Sequence, residues 1–290
     1  MTPELEQRLD AAGLDPQAVE NLVRVALAED GEIDVTSEPI FTDETATADF
    51  TARQSGVVAG IAVAEVVFEL LGIGVVATRA ADGDAVAAGQ VLLTVQGPTR
   101  ALLRAERTAL NLLTHLSGIA TATRRWVDAI DGTKARVRDT RKTLPGLRRL
   151  QKYAVRQGGG VNHRMGLQDA ALVKDNHVAA AGSVTKAYQA IRGRFPELHV
   201  QIECDTLAQV EEALAVGATS ILLDNMSPAE MTQAVHLTAG RAELEASGGL
   251  TVDRARDVAV TGVDYLAVGA LTHSSPALDI GLDFHSTAGT

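Results

Sequence analysis

A single cysteine, Cys204, stands in 290 residues. A disulfide scaffold and a cysteine-built zinc site within one chain are thereby excluded, and a reducing cytoplasm is the expected location. Aromatic residues are scarce, with one Trp, three Tyr and five Phe, which leaves little for stacking nucleobases. No run approaches the roughly 18 uncharged apolar residues of a membrane span, so no membrane partner is expected. The N-terminus, MTPELEQRLD, lacks the basic region and apolar stretch of a secretory signal. Positive charge is in deficit: 26 Lys and Arg face 37 Asp and Glu, a formal net charge of -11, which disfavours a nucleic-acid partner. What remains is an ordinary globular composition, 46% hydrophobic and 22% charged. Its length suits two modest domains or one large α/β domain.

The charge is unevenly spread. Residues 1–50 hold thirteen acids and two bases, whereas residues 135–174 hold ten Lys and Arg and two Asp. A basic block inside an acidic chain reads in two ways. Arg148, Arg149, Lys152 and Arg156 read as a solvated helix face. Arg141, Lys142, Arg164 and Lys174 sit beside turn residues and strand ends, and read as a pocket for a small polyanion. Arginine forks match carboxylate and phosphate oxygens in pairs, while lysine supplies a point charge.

Periodicity predicts helix over residues 1–30, strands at Ala48–Ala52 and Val57–Gly60, and a helix at Ala62–Leu71 stopped by Gly72. Strands broken by glycine turns follow over Val75–Val95, and then one long helix from about Arg100 to Ile130. From Lys134 the texture changes to short β-branched runs alternating with helical stretches. Strand ends at Glu203, Asp224, Ser247 and Gly269 fall 21, 23 and 22 residues apart, the beat of β/α units in a parallel sheet or barrel. Six such units are counted, fewer than the eight of a closed barrel.

Each of these runs ends in a group fit for chemistry. The tips are Asp139-Thr140-Arg141-Lys142, Lys174-Asp175-Asn176, Glu203, Asp224-Asn225, Ser247-Gly248-Gly249 and Gly269. Strand C-termini of a β/α barrel share one face, so these scattered residues are expected to converge on one mouth. His163, beside Arg164 in a glycine-rich stretch, is expected to join the cations. Glu203 and Asp224, with no histidine cluster, suit Mg²⁺ held partly through water, or ribose hydroxyls. Ser247-Gly248-Gly249 and Gly269 read as a phosphate site. Cys204 alternates away from Glu203 and is expected to pack in the barrel wall. The inventory fits group transfer from a phosphorylated, metal-bound donor to an anionic acceptor.

The runs E-R-T-A-L-N (106–111), H-L-S-G-I-A-T-A-T (115–123), D-T-R-K-T-L-P-G-L-R (139–148), G-G-G-V-N-H-R (158–164), K-D-N-H (174–177), L-L-D-N (222–225), S-G-G (247–249) and D-Y-L-A-V-G-A-L-T-H-S (264–274) closely resemble quinolinate phosphoribosyltransferase. The family is also called nicotinate-nucleotide pyrophosphorylase (carboxylating). The resemblance covers nearly the whole chain and keeps the order of the motifs. It implies a pentosyltransferase of de novo NAD synthesis: quinolinate and phosphoribosyl pyrophosphate, with Mg²⁺, give nicotinate mononucleotide, pyrophosphate and CO₂.

Further expectations come from the resemblance alone. Arg141, His163, Arg164 and Lys174 match the quinolinate carboxylate pocket, and Thr140 and Lys142 match its binding loop. Glu203 and Asp224 match the carboxylates at ribose and magnesium, and with Lys174 are the catalytic candidates. Ser247, Gly248, Gly249, Val268, Gly269 and Ala270 match the 5′-phosphate site. Arg107 matches an arginine inserted into the neighbouring subunit's site, in a homodimer or a trimer of dimers. The implied fold is an N-terminal α/β sandwich domain (1–133, joined by the tail 271–290) and an open β/α barrel (134–270). Two rivals stand beside this reading. One is a Schiff-base aldolase using Lys174; the other is a related phosphoribosyltransferase-like family associated with molybdenum transport operons. A lipoyl or biotinyl carrier, suggested by the Asp82–Val86 turn, is excluded because no lysine precedes Lys134.

Overall fold

The computed structural model describes residues 1–285. Positions 286–290 of the expected C-terminal contribution lie outside the described residues. By internal packing the chain divides into two compact units. One comprises Met1–Ala122, Leu144–Gly159 and the segment from Ser274; the other comprises Thr123–Thr143 and Gly160–His273.

The first unit opens with two helices rather than one continuous helix, α1 (Pro3–Ala11) and α2 (Pro16–Glu29). The break follows from local chemistry. Asp15 accepts hydrogen bonds from the Gln17 and Ala18 amides at 3.0 and 3.2 Å, and Pro16 occupies the first helical position, so a new helix starts there. Leu5 and Leu9, then Val19, Val23 and Leu27, form buried stripes at four-residue spacing. The strands are β1 (Thr45–Ala52), β2 (Gly56–Val57), β3 (Gly74–Thr78), β4 (Ala85–Val86) and β5 (Val91–Pro98). Between β2 and β3 lies α3 (Ile61–Leu70), whose first eight residues are all buried. Phe68 of α3 packs on Phe50 of β1 with ring centroids 5.2 Å apart. The long helix α4 covers Thr99–Ala129.

Later in the chain, α5 (Arg148–Gln157) clusters with the first unit, although the sequence placed it in the barrel. Here the expected solvated face is corrected: Lys152 is fully buried, along with Leu150, Gln151, Tyr153, Ala154 and Val155. Only Arg149 of the four basic residues is exposed, and Arg156 donates to the Ala12 carbonyl at 2.6 Å. A charge pattern along a helix does not say which flank the rest of the fold covers. The chain end returns as β12 (Ile280–Phe284), antiparallel to β1, giving the sheet order β12-β1-β5-β3.

The second unit is built on a six-stranded, wholly parallel sheet. Its strands are β6 (Arg136–Arg138), β7 (Ala171–Val173), β8 (Val200–Cys204), β9 (Ser220–Asp224), β10 (Glu243–Ser247) and β11 (Tyr265–Ala267), in the order β6-β11-β10-β9-β8-β7. The connecting helices are α6 (Asp175–Ala181), α7 (Val184–Arg194), α8 (Leu207–Ala215), α9 (Pro228–Thr238), α10 (Ala255–Ala259) and α11 (Ala270–His273). Reciprocal caps, Thr206 with Gln209 and Ser227 with Glu230, start α8 and α9 just past their strands. After Thr251 the chain forms a short 3₁₀ turn, Val252–Arg254, followed by the five-residue α10. Ile202, Ile221, Leu223, Leu244, Ala246 and Leu266 are buried along the strands, as both-sided coverage of a parallel sheet demands. Cys204 is buried in the strand wall as expected, and that burial pushes its thiol up to about 12.

Candidate active site

Parallel strands joined by helices must all point one way, so their C-terminal tips share one edge of the sheet. That edge opens into a cleft of about 370 Å³. It is lined by Thr140, Arg141, Lys142, His163, Arg164, Lys174, Glu203, Asp224 and Ser247, together with Leu172, Leu222, Glu245 and Ala267.

Asp139 joins the two arginine-bearing segments. It is fully buried, and its carboxylate accepts the His163 amide at 2.8 Å and the Asn162 side-chain amide at 2.5 Å. The end of β6 is thus tied to the N-H-R run, which holds Arg141 and Arg164 close. Burial and the neighbouring Arg141 charge depress the Arg164 guanidinium below its ordinary range, and arginine remains a cation at neutral pH. Arg164 Nη1 donates to the Ala170 carbonyl at 2.6 Å. Arg141 Nε is buried with no acceptor among the described residues. Such a donor calls for a partner that arrives from solution.

Lys174 begins α6, where His177 reaches back and accepts the Lys174 amide proton at 3.0 Å. The K-D-N-H spacing is therefore a device for turning the chain at the strand end. Lys174 Nζ lies 3.6 Å from Glu203 Oε2. Burial pushes the Glu203 carboxyl above the usual range; Lys174 opposes this, and Asp224 and Asp175 add to it. Among the described residues no cluster of three or more His, Cys, Asp or Glu could hold a metal ion by itself. Two carboxylates do fit Mg²⁺ in its common mode, in which substrate phosphates and water complete the shell.

The loops after β9 and β10 interlock, and the loop after β6 meets the end of β11. Asn225 donates its amide proton to the Ser247 carbonyl at 3.0 Å and its side-chain amide to Asp224 at 2.6 Å. Gly248 has a φ of +95°, and a Cβ there would overlap Asn225 Oδ1 and lie 2.8 Å from the Asn225 backbone nitrogen. Gly248→Ala is therefore expected to cost about 2–3 kcal/mol of stability, read as a lowered thermal midpoint; an unchanged midpoint contradicts the packing. Gly269 backs onto the binding loop, where a Cβ would meet Lys142 Cδ at 2.8 Å. Thr272 Oγ1 donates to the Lys142 carbonyl at 2.8 Å and locks the two loops together.

Nine of the residues expected from sequence thus share the cleft. Gly248 and Gly249 instead line an adjoining cavity of about 330 Å³ with Asn225, Ser227 and Arg254. Val268, Gly269 and Ala270 are not among the cleft-lining residues. Arg107 lies on α4, with its side chain 69% exposed and Glu106 beside it, at 3.3 Å. Sequence reasoning missed Leu172, Leu222, Glu245 and Ala267. Glu245 was findable: it stands two residues before Ser247, hence on the same side of its strand.

A profile described as quinolinate phosphoribosyl transferase, N-terminal domain, matches residues 34–117, and one for the C-terminal domain matches residues 119–283. The chain belongs to the quinolinate phosphoribosyltransferase family. The nicotinate-nucleotide pyrophosphorylase [carboxylating] of Mycobacterium leprae is 53% identical over 92% of this chain and 97% of its own length. A quinolinate phosphoribosyltransferase [decarboxylating] of Nicotiana tabacum is 40% identical over 91% of this chain and 81% of its own. Among solved structures, NadC from Streptococcus pyogenes superposes with a TM-score of 0.89 at 40% identity, covering 94% of this chain and 99% of that one.

Proposed function

We propose that this quinolinate phosphoribosyltransferase of NAD biosynthesis works at the strand tips, through the cleft and the cavity that adjoins it. Arg141, Arg164 and Lys174 hold the two carboxylates of quinolinate, with His163 beside them, and Thr140 and Lys142 shape the loop. Ser247, Gly248 and Gly249, with the Val268-Gly269-Ala270 turn, receive the 5′-phosphate of phosphoribosyl pyrophosphate. Glu203 and Asp224 face the ribose and would hold Mg²⁺, which when bound would supply positive charge to offset that of the pyrophosphate group. The observation that carries this reading is the meeting in one cleft of an arginine pair, Lys174 and the Glu203–Asp224 acid pair.

The residues act on charge as it develops. The pyridine nitrogen attacks the anomeric carbon, the carbon–oxygen bond to pyrophosphate breaks, and pyrophosphate takes the electron pair. Glu203 and Asp224 offset the positive character of the ribose ring. The quaternised ring nitrogen then acts as an electron sink. The bond to the 2-carboxylate breaks, CO₂ leaves, and the ring carbon takes a proton. Arg141 and Arg164 hold the dianion without surrendering a proton to it.

Arg107 completes the site of a second copy, so the active form is a homodimer or an assembly of dimers. No described helix is long and apolar enough to cross a membrane, and we place the enzyme in the cytoplasm. Incubation with quinolinate, phosphoribosyl pyrophosphate and Mg²⁺ is expected to give nicotinate mononucleotide and an equal amount of CO₂. Absence of both products, with the folded dimer verified, rules this reading out in favour of the molybdenum-operon relative.

A further inference from the structure

Three strands carry a polar residue one step below their reactive tips. Arg138 stands two residues before Thr140, Gln201 two before Glu203, and Glu245 two before Ser247. Alternation along a strand puts Gln201 and Glu245 on the same side as their tips, and Arg138 closes β6 just before Asp139-Thr140. Gln201 is 2% exposed and Glu245 1%. Barrel interiors are ordinarily filled by branched apolar side chains, and a buried amide or carboxylate is costly unless its hydrogen bonds are made. Here Gln201 and Glu245 make theirs, and chemistry fixes the direction of each bond; the Arg138 Nε is buried with no acceptor among the described residues.

Arg138 only donates, and its Nη1 meets Glu245 Oε2 at 2.7 Å. Its guanidinium is held flat by the Tyr265 ring, 3.3 Å away. An ionised Glu245 only accepts, so Gln201 must turn its NH₂ toward it, at 3.2 Å. The Gln201 carbonyl oxygen then faces His163 Nε2 at 2.8 Å, and that nitrogen must carry the ring proton. Nδ1 of the neutral ring is left bare, and it accepts the Arg164 amide proton at 2.7 Å. The opposite tautomer sets two donors against each other at Arg164. Glu245 Oε1 lies 3.9 Å from His163 Nε2, too far to replace Gln201 as its acceptor.

We infer that Arg138, Glu245 and Gln201 are positioning residues: a one-way chain of hydrogen bonds fixes His163 as its Nε2–H tautomer and so places the main chain of Arg164 for carboxylate binding. His163 then serves the pocket by holding Arg164, not by contributing charge. The inference rests on the reading of Arg164 as a ligand of the pyridine dicarboxylate.

Two measurements test it. In the wild-type enzyme at neutral pH, ring-nitrogen NMR shifts of His163 are expected to report the Nε2–H tautomer. A predominant Nδ1–H tautomer or an imidazolium overturns the inference, and this measurement needs no variant to fold. Gln201→Met keeps the length of the side chain and leaves the Arg138–Glu245 pair in place, but cuts the chain. It is expected to raise the KM for quinolinate about tenfold, the worth of one misplaced charge-assisted hydrogen bond, with the KM for phosphoribosyl pyrophosphate unchanged. An unchanged quinolinate KM, or an equal rise in both, overturns it. Arg164→Ala is the control: if that variant leaves the quinolinate KM unchanged, the pocket reading itself has failed, whatever His163 does.

Discussion

Arg141→Ala is expected to raise the KM for quinolinate about a hundredfold while the KM for phosphoribosyl pyrophosphate stays within about threefold. The size follows from what the side chain does without substrate. Its Nε is buried with no acceptor among the described residues. Removing it therefore breaks no structural bond at that nitrogen, and it relieves the like charge that depresses Arg164. The loss falls on the ligand that would have paired with it. Arg141→Lys keeps the charge and loses the fork, so an intermediate rise is expected. Steady-state kinetics with each substrate varied in turn checks both. Equal effects on the two substrates contradict the assignment of the cationic side to quinolinate.

The second large effect is a recovery. Arg107→Ala and Lys174→Ala are each expected to be nearly inactive, yet mixed subunits of the two are expected to regain about a quarter of wild-type activity. That fraction follows if half the dimers are mixed and each mixed dimer has one intact site. Arg107 is 69% exposed and pairs loosely with its own neighbour Glu106 at 3.3 Å, an arrangement worth little to stability. If it serves a partner's cleft, a chain lacking Arg107 can still be rescued by one that retains it. Co-expression with two distinct tags, followed by isolation of the doubly tagged species, in which every dimer is mixed and about half of wild-type activity is expected, measures this directly. No recovery in that species shows that each site is built from one chain.

Much of the barrel was legible because its units repeat. Strand ends spaced 21 to 23 residues apart leave room for one strand, one helix and two short loops, and parallel connection then forces the tips together. The cleft accordingly gathers Arg141, Arg164, Lys174, Glu203 and Asp224 from well-separated positions. The helix after Ser247-Gly248-Gly249 starts in a tight turn that apolar spacing does not reveal, so it opens as a 3₁₀ turn and only Ala255–Ala259 is regular α-helix. Residues 1–30 are helical as their apolar periodicity predicts, but the periodicity runs through the Asp15-Pro16 start signal and so does not reveal that there are two helices.

The sequence by itself determined the parallel β/α units, the chemistry of their tips and the family, because strand period, loop length and residue type are local properties of the chain. Tertiary structure alone decided the rest. It buried Lys152 on a helix whose charges suggested solvent. It brought Leu144–Gly159 into the first unit. It also stacked Arg138, Gln201 and Glu245 beneath the tips so that each hydrogen bond dictates the next. Burial and the pairing of distant donors with acceptors are properties of packed surfaces, and no local pattern encodes which surface a side chain will meet.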